Sequence, residues 1–173
     1  MNETPQEYIK RMLGNAEGQN PLKVQAGTAK KLDRLIKGVS ASRLRKRPSP
    51  EKWSVGEILA HLVDAEIVTG WRIRQILGAP GSPIQAYDQD KWADNLRYDS
   101  ADCGKKLDLF IKMREENIAL LKSLGPKEWK RWGMHEERGK ETIERMVQMI
   151  AGHDINHVKQ IEQIGKAFRK GRA

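Results

Sequence analysis

Apolar residues recur at steps of three and four through most of this chain, the spacing of helices that bury one face. One stripe runs Leu22, Ala29, Leu32, Ile36 and Val39, behind Asn20 as N-cap and Pro21 at the first helical position. Ahead of it, Thr4, Pro5 and Glu7 combine an N-cap, a helix-starting proline and a capping-box glutamate, and Gly14 can end this short helix. Ser54 and Glu57 form a second capping box, opening a helix that should reach about Leu77 before the run from Gly78 to Pro83 breaks it. Ser100 can cap a third long helix carrying Leu107, Phe110, Ile111, Ile118 and Leu121, which Gly125 and Pro126 end. The last pattern extends from about Lys140 to Gly165. No alternating β-branched run predicts a strand, and no internal repeat is present. The pattern predicts an all-α chain: a four-helix bundle with a short extra N-terminal helix, forming a single domain over residues 1–173. The connections after the first and second bundle helices are long enough to cross over, so a simple up-down-up-down order does not follow.

Two histidines interrupt the last stripe. Ile143, Met146, Ile150, His153, His157, Ile161 and Ile164 share one face, so His153 and His157 stack on neighbouring turns of an aliphatic seam. His61 shares its face with Ile58, Ala65 and Val68, and it too should point inward. Buried ring nitrogens without partners are costly, and a shared metal ion is one way to satisfy them. Core histidines bonded to carbonyls or carboxylates are the alternative. Three neutral imidazoles suit zinc, nickel, copper or iron and leave a position open for water or substrate. Asp64, one turn from His61, is a candidate to orient an imidazole through its free N–H, a carboxylate behind the ligands. The fourth histidine, His135, follows a turn-like stretch and is expected to face solvent. The arrangement is not that of a zincin peptidase, because Asp154 stands where that motif requires glutamate.

Composition narrows the rest. The 173 residues carry 32 Lys+Arg against 23 Asp+Glu, a net charge of +9. Basic runs lie at Arg43–Arg47 and at Lys166–Arg172, the second expected to be a frayed, solvated tail. No recognition-helix, zinc-finger or RNP-type pattern accompanies them, so charge alone argues weakly for nucleic acid. No apolar run approaches a membrane span, and the first residues lack a signal-peptide layout, which points to a cytoplasmic protein. Cys103, the only cysteine, cannot form an intramolecular disulfide and reads as a spectator thiol near a helix start. Between Ile84 and Tyr98 a long connection carries Tyr87, Trp92 and Tyr98, which either cover a core edge or wall a pocket. Gly152, beside His153, leaves room for another helix or a ligand to come close.

The stretch from Pro50 to Glu66, with Trp53-Ser54 and His61-Leu62 followed by Glu66, resembles the signature of the DinB/YfiT-like metalloenzyme family. The His153-Asp154 and His157 core, with Gln160 and Ile161 after it, resembles that family's last bundle helix, and the likeness extends from about Lys31 to Ile164. The resemblance implies an up-down-down-up bundle with a divalent metal held by three histidines, which here fall at His61, His153 and His157. It implies thiol-dependent transferases and isomerases among the relatives, along with metal-dependent hydrolases, and a family that is often dimeric.

The sequence therefore leads to a metal-dependent transferase, with nickel or zinc as first candidates, a low-molecular-weight thiol as co-substrate and a small molecule as electrophile. A metal-dependent hydrolase and a non-enzymatic metal- or small-ligand-binding protein are the alternatives. No general base is evident, since Glu66 points about 140° away from His61 around an ideal helix.

Overall fold

The computed structural model describes residues 3–170. In chain order the elements are α1 (Pro5–Asn15), α2 (Pro21–Ile36), α3 (Ala41–Leu44), α4 (Val55–Gly78), β1 (Pro83–Ile84) and α5 (Gln89–Asn95). A 3-10 turn (Tyr98–Ser100) follows, then α6 (Cys103–Lys122), α7 (Pro126–Trp129), β2 (Trp132–His135), β3 (Gly139–Thr142) and α8 (Ile143–Lys170). Three helix starts are those the caps predict: Thr4 and Glu7 close a capping box on α1, Asn20 caps α2, and Ser54 and Glu57 close a second box on α4.

The helices α2, α4, α6 and α8 form the bundle. Each of α2 and α4 packs against both α6 and α8, so consecutive α2 and α4 lie across a diagonal. Two apolar clusters give the directions. One gathers Leu32 from the end of α2, Leu59 and Leu62 from the first half of α4, Phe110 from the first half of α6, and Ile161 from the second half of α8. The other gathers Ile73 and Ile76, Leu121, and Ile143 and Val147, with Leu22 from the start of α2 packed against it. Hence α2 and α8 run one way and α4 and α6 the other, an up-down-down-up order.

Between the clusters lies a polar layer. Arg114 on α6 is buried and donates from Nε to Glu66 (2.9 Å) and from both terminal nitrogens to Asp154, while Asn117 Nδ2 donates to the other Glu66 oxygen (2.8 Å). Burial pulls the Arg114 pKa down, but Asp154 and Glu66 outweigh it and hold the guanidinium above its ordinary value. This network ties α4 and α6 to the turn of α8 that carries His153.

Several details differ from the sequence pattern. Three short strands form one sheet, β1 parallel to β2 and β2 antiparallel to β3. Strands of two to four residues are too short to show alternation. They need Gly133, where a Cβ would come within 2.7 Å of Ile84 Cδ1. The residues from Lys140 to Thr142 belong to β3, so α8 starts at Ile143, and it continues past Gly165 to Lys170. Asp102 rather than Ser100 caps α6, and Gly125-Pro126 opens α7 instead of closing α6. Part of the basic tail lies outside the described residues. Among the described residues, no helix is long and apolar enough to cross a membrane.

Candidate metal centre

His61 on α4 and His153 and His157 on α8 meet in the polar layer, all buried. His153 Nε2 stands 2.9 Å from His61 Nε2 and 3.1 Å from His157 Nε2. A proton on His153 Nε2 can satisfy only one of these contacts well, leaving lone pair against lone pair at the other. His157 Nδ1 lies 2.8 Å from Gln160 Oε1; a carbonyl oxygen only accepts, so Nδ1 carries the hydrogen and Nε2 presents its lone pair. Burial drives the His61 pKa down to about 3, with His157 adding to the effect, and the His157 pKa down to about 4 against the Gln160 bond. Burial also holds His153 well below its ordinary value, and His157 and His61 push it further. The imidazoles are neutral.

A divalent ion fits this donor set. Imidazole nitrogens about 2.0–2.1 Å from a tetrahedral ion lie roughly 3.3 Å from one another, close to the separations present here. Three convergent lone pairs have a common partner in a cation, and the Nδ1 atoms of His61 and His153, without hydrogen-bond partners among the described residues, are not needed for it.

The centre opens on a cavity of about 590 Å³ lined by His153 and His157, Tyr8 and Arg11 from α1, Trp53 and Gln160. Trp53 leans over His61 with ring centroids 5.1 Å apart, closing one side. The helix α1 reaches the site because Gly152 has no side chain: a Cβ there would lie 1.7 Å from the Met12 carbonyl oxygen. Asn15 Nδ2 donates to the Gly152 carbonyl (3.3 Å), and Arg11 donates to Asn156 (3.1 Å).

Two expectations need correction. Asp64 is buried near His61 but accepts from the Tyr98 hydroxyl, not from an imidazole, because the long connection brings Tyr98 against α4. His135 does not face solvent. It is buried on β2, its Nδ1 accepting from Glu137 N–H (3.1 Å), and burial with Arg138 and Arg72 nearby depresses its pKa to about 4. Cys103 is buried at the first turn of α6, where burial pushes the thiol pKa up despite the helix start. Glu66 is turned away from the histidines into the Arg114 network. Sequence reasoning missed Tyr8 and Arg11, and it named Gln160 within the family motif without a role. Only Gln160 left a signal, standing one turn after His157.

The chain is similar to known proteins over most of its length. A model of the DinB superfamily matches residues 26–161. The chain is 24% identical over 138 residues to the Bacillus subtilis (strain 168) protein named "Putative metal-dependent hydrolase YfiT", covering 79% of this chain and 77% of that one. It is 24% identical over 150 residues to YuaE of the same strain, covering 78% of this chain and 91% of its relative. The solved structure of YfiT from Bacillus subtilis, described as having "an unusual four-helix bundle topology", superposes with a TM-score of 0.80 at 21% identity, over 86% of this chain and 85% of that one.

Proposed function

The chain belongs to the DinB superfamily, and from that premise we propose that it is a divalent-metal enzyme transferring a low-molecular-weight thiol to a small electrophile. The observation that carries the reading is the convergence of three buried Nε2 atoms at the base of the large cavity. His61, His153 and His157 would hold the ion, with nickel or zinc suited to the imidazole set. When bound, a divalent ion acts as a Lewis acid that lowers the pKa of a water or thiol beside it.

The residues around the centre favour sulfur over water as nucleophile. The nearby carboxylates are engaged: Asp64 by Tyr98, Asp154 by Arg114, and Glu66 by Arg114 and Asn117. These buried carboxylates are held by partners on the protein, and the two other carboxylates that line the cavity, Glu51 and Asp90, are exposed. A thiol is acidic enough to lose its S–H proton without a dedicated base once its anion is stabilised. The sulfur then bonds to the electrophilic carbon as the leaving group departs with the bonding pair. Gln160 fixes the His157 ring, Trp53 covers His61, and Tyr8 with Arg11 forms the wall that a substrate would meet.

Hydrolysis is the second reading, supported by the printed name of the YfiT relative. Cobalt-substituted protein separates the two, in a Cys103→Ala background so that the only protein thiol cannot contribute. Addition of 2-mercaptoethanol should raise a sulfur-to-metal charge-transfer band, and 1-chloro-2,4-dinitrobenzene should then be consumed. Cobalt-dependent ester cleavage with no such band would replace transfer by hydrolysis. A band with no turnover would reduce the protein to a binder.

A further inference from the structure

Arg72 is a buried cation that the fold leaves without a counter-ion. It lies on α4 at 8% exposure, donates to the Gln85 carbonyl and sits 5.7 Å from the Tyr87 ring centroid. Among the described residues no carboxylate lies within ion-pair distance of it, whereas Arg114, Arg138 and Arg47 are all paired. Desolvating a guanidinium is costly, and buried charges are normally matched.

The Arg72 head opens on a second cavity of about 80 Å³, walled also by Thr69, Tyr87, Arg138 and Glu141. Both Glu141 oxygens are occupied by Arg138 (2.9 and 3.0 Å), and Glu136 accepts from Ala86 N–H (2.7 Å). The cavity lining thus carries two guanidiniums and one carboxylate, and Glu136, outside the lining, acts on Arg72 without pairing with it. Burial and then Arg138 pull the Arg72 pKa below its ordinary value, as expected for a cation short of anions. Tyr8 and His153 line this cavity and the larger one alike, so the two adjoin at the histidine centre. At about 30 Å³ of liquid volume per water, the space takes two oxygen-sized groups and little more. The planar fork of arginine matches a carboxylate in shape and charge.

We propose that this cavity is a subsite for a small carboxylate, held by Arg72 with Arg138, on a molecule whose reactive end faces His61, His153 and His157. The link to a reaction rests on the metal-enzyme reading above; the carboxylate site itself does not. It makes the substrate class a small carboxylic acid.

The test uses the full chain stripped of metal with EDTA. Sodium acetate is titrated at constant ionic strength, with acetamide as the neutral isostere, following the Arg72 Nε–H and Thr69 amide NMR signals. Acetate should shift both saturably in the millimolar range and acetamide should not. Arg72→Gln should weaken acetate at least about ten-fold. Thr69→Met, which narrows the cavity and keeps the charges, should weaken it similarly and decides the matter if Arg72→Gln fails to fold. No saturable shift in the wild type, or acetate binding unchanged in a folded variant, overturns the subsite. Metal uptake by the same wild-type protein, reloaded with zinc or nickel after removal of EDTA, separates the two claims. Acetate binding in a chain that takes no metal would refute the enzyme reading and leave the subsite. Metal uptake without acetate binding would do the reverse.

Discussion

Burial keeps the imidazoles of His61 and His157 neutral down to about pH 3 and 4, below the ordinary histidine value near 6.5. The sign of the stability effect follows. Between about pH 6.5 and 4 the unfolded chain binds protons that the folded, metal-free chain refuses, so stability falls as pH falls through that window. Each such histidine removes at most about 1.4 kcal/mol per pH unit once the unfolded side chain is protonated. Urea midpoints of EDTA-treated protein should therefore drop between pH 7.5 and 5, above the range where carboxylates titrate; equal midpoints would mean that the rings are not held neutral. The same depression delays proton competition for metal, which should set in near the folded values rather than near 6.5. At this scale the sequence was most informative about the three histidines, because each sat on an apolar stripe. It could not show that Tyr98, 34 residues downstream, would occupy Asp64, nor that His135 would be buried. Those outcomes depend on where connections fold back, and periodicity carries no record of that.

Among the elements, α1 has the largest consequence for the site relative to its length. It lies against α8 only because the Gly152 backbone is bare, and it brings Tyr8 and Arg11 to the cavity. Gly152→Ala would drive a methyl into the Met12 backbone, which cannot swing aside as a side chain can. Overpacking of this kind costs about 1–3 kcal/mol. The expected result is a lower urea midpoint and earlier proteolytic cleavage within α1; a change below about 0.5 kcal/mol would show that α1 does not need this close approach. Helix existence was legible because caps and stripes agreed, as at Ser54 and Glu57. The strands were not, since β1, β2 and β3 hold through backbone pairing across distant residues, with Pro83 opposite Met134.

In the whole molecule, two apolar clusters hold a polar layer between them, and the histidines sit in that layer beside the Arg114 network. The diagonal placement of α2 and α4 puts α4 next to α8, which is how His61 reaches His153, 92 residues away in the chain. The sequence supplied the helices and the inward-facing histidines; the crossover that joins them follows from packing. The central claim is that this bundle is assembled around one divalent ion. The direct measurement is metal content per chain of protein made without an affinity tag and reloaded with zinc or nickel, for the wild type, His61→Ala, His153→Ala, His157→Ala and His135→Gln. One ion per chain in the wild type and in His135→Gln, with sharply reduced content in each of the other three, is the result this account predicts. Equal metal retention in all five proteins, each shown to be folded, would contradict it.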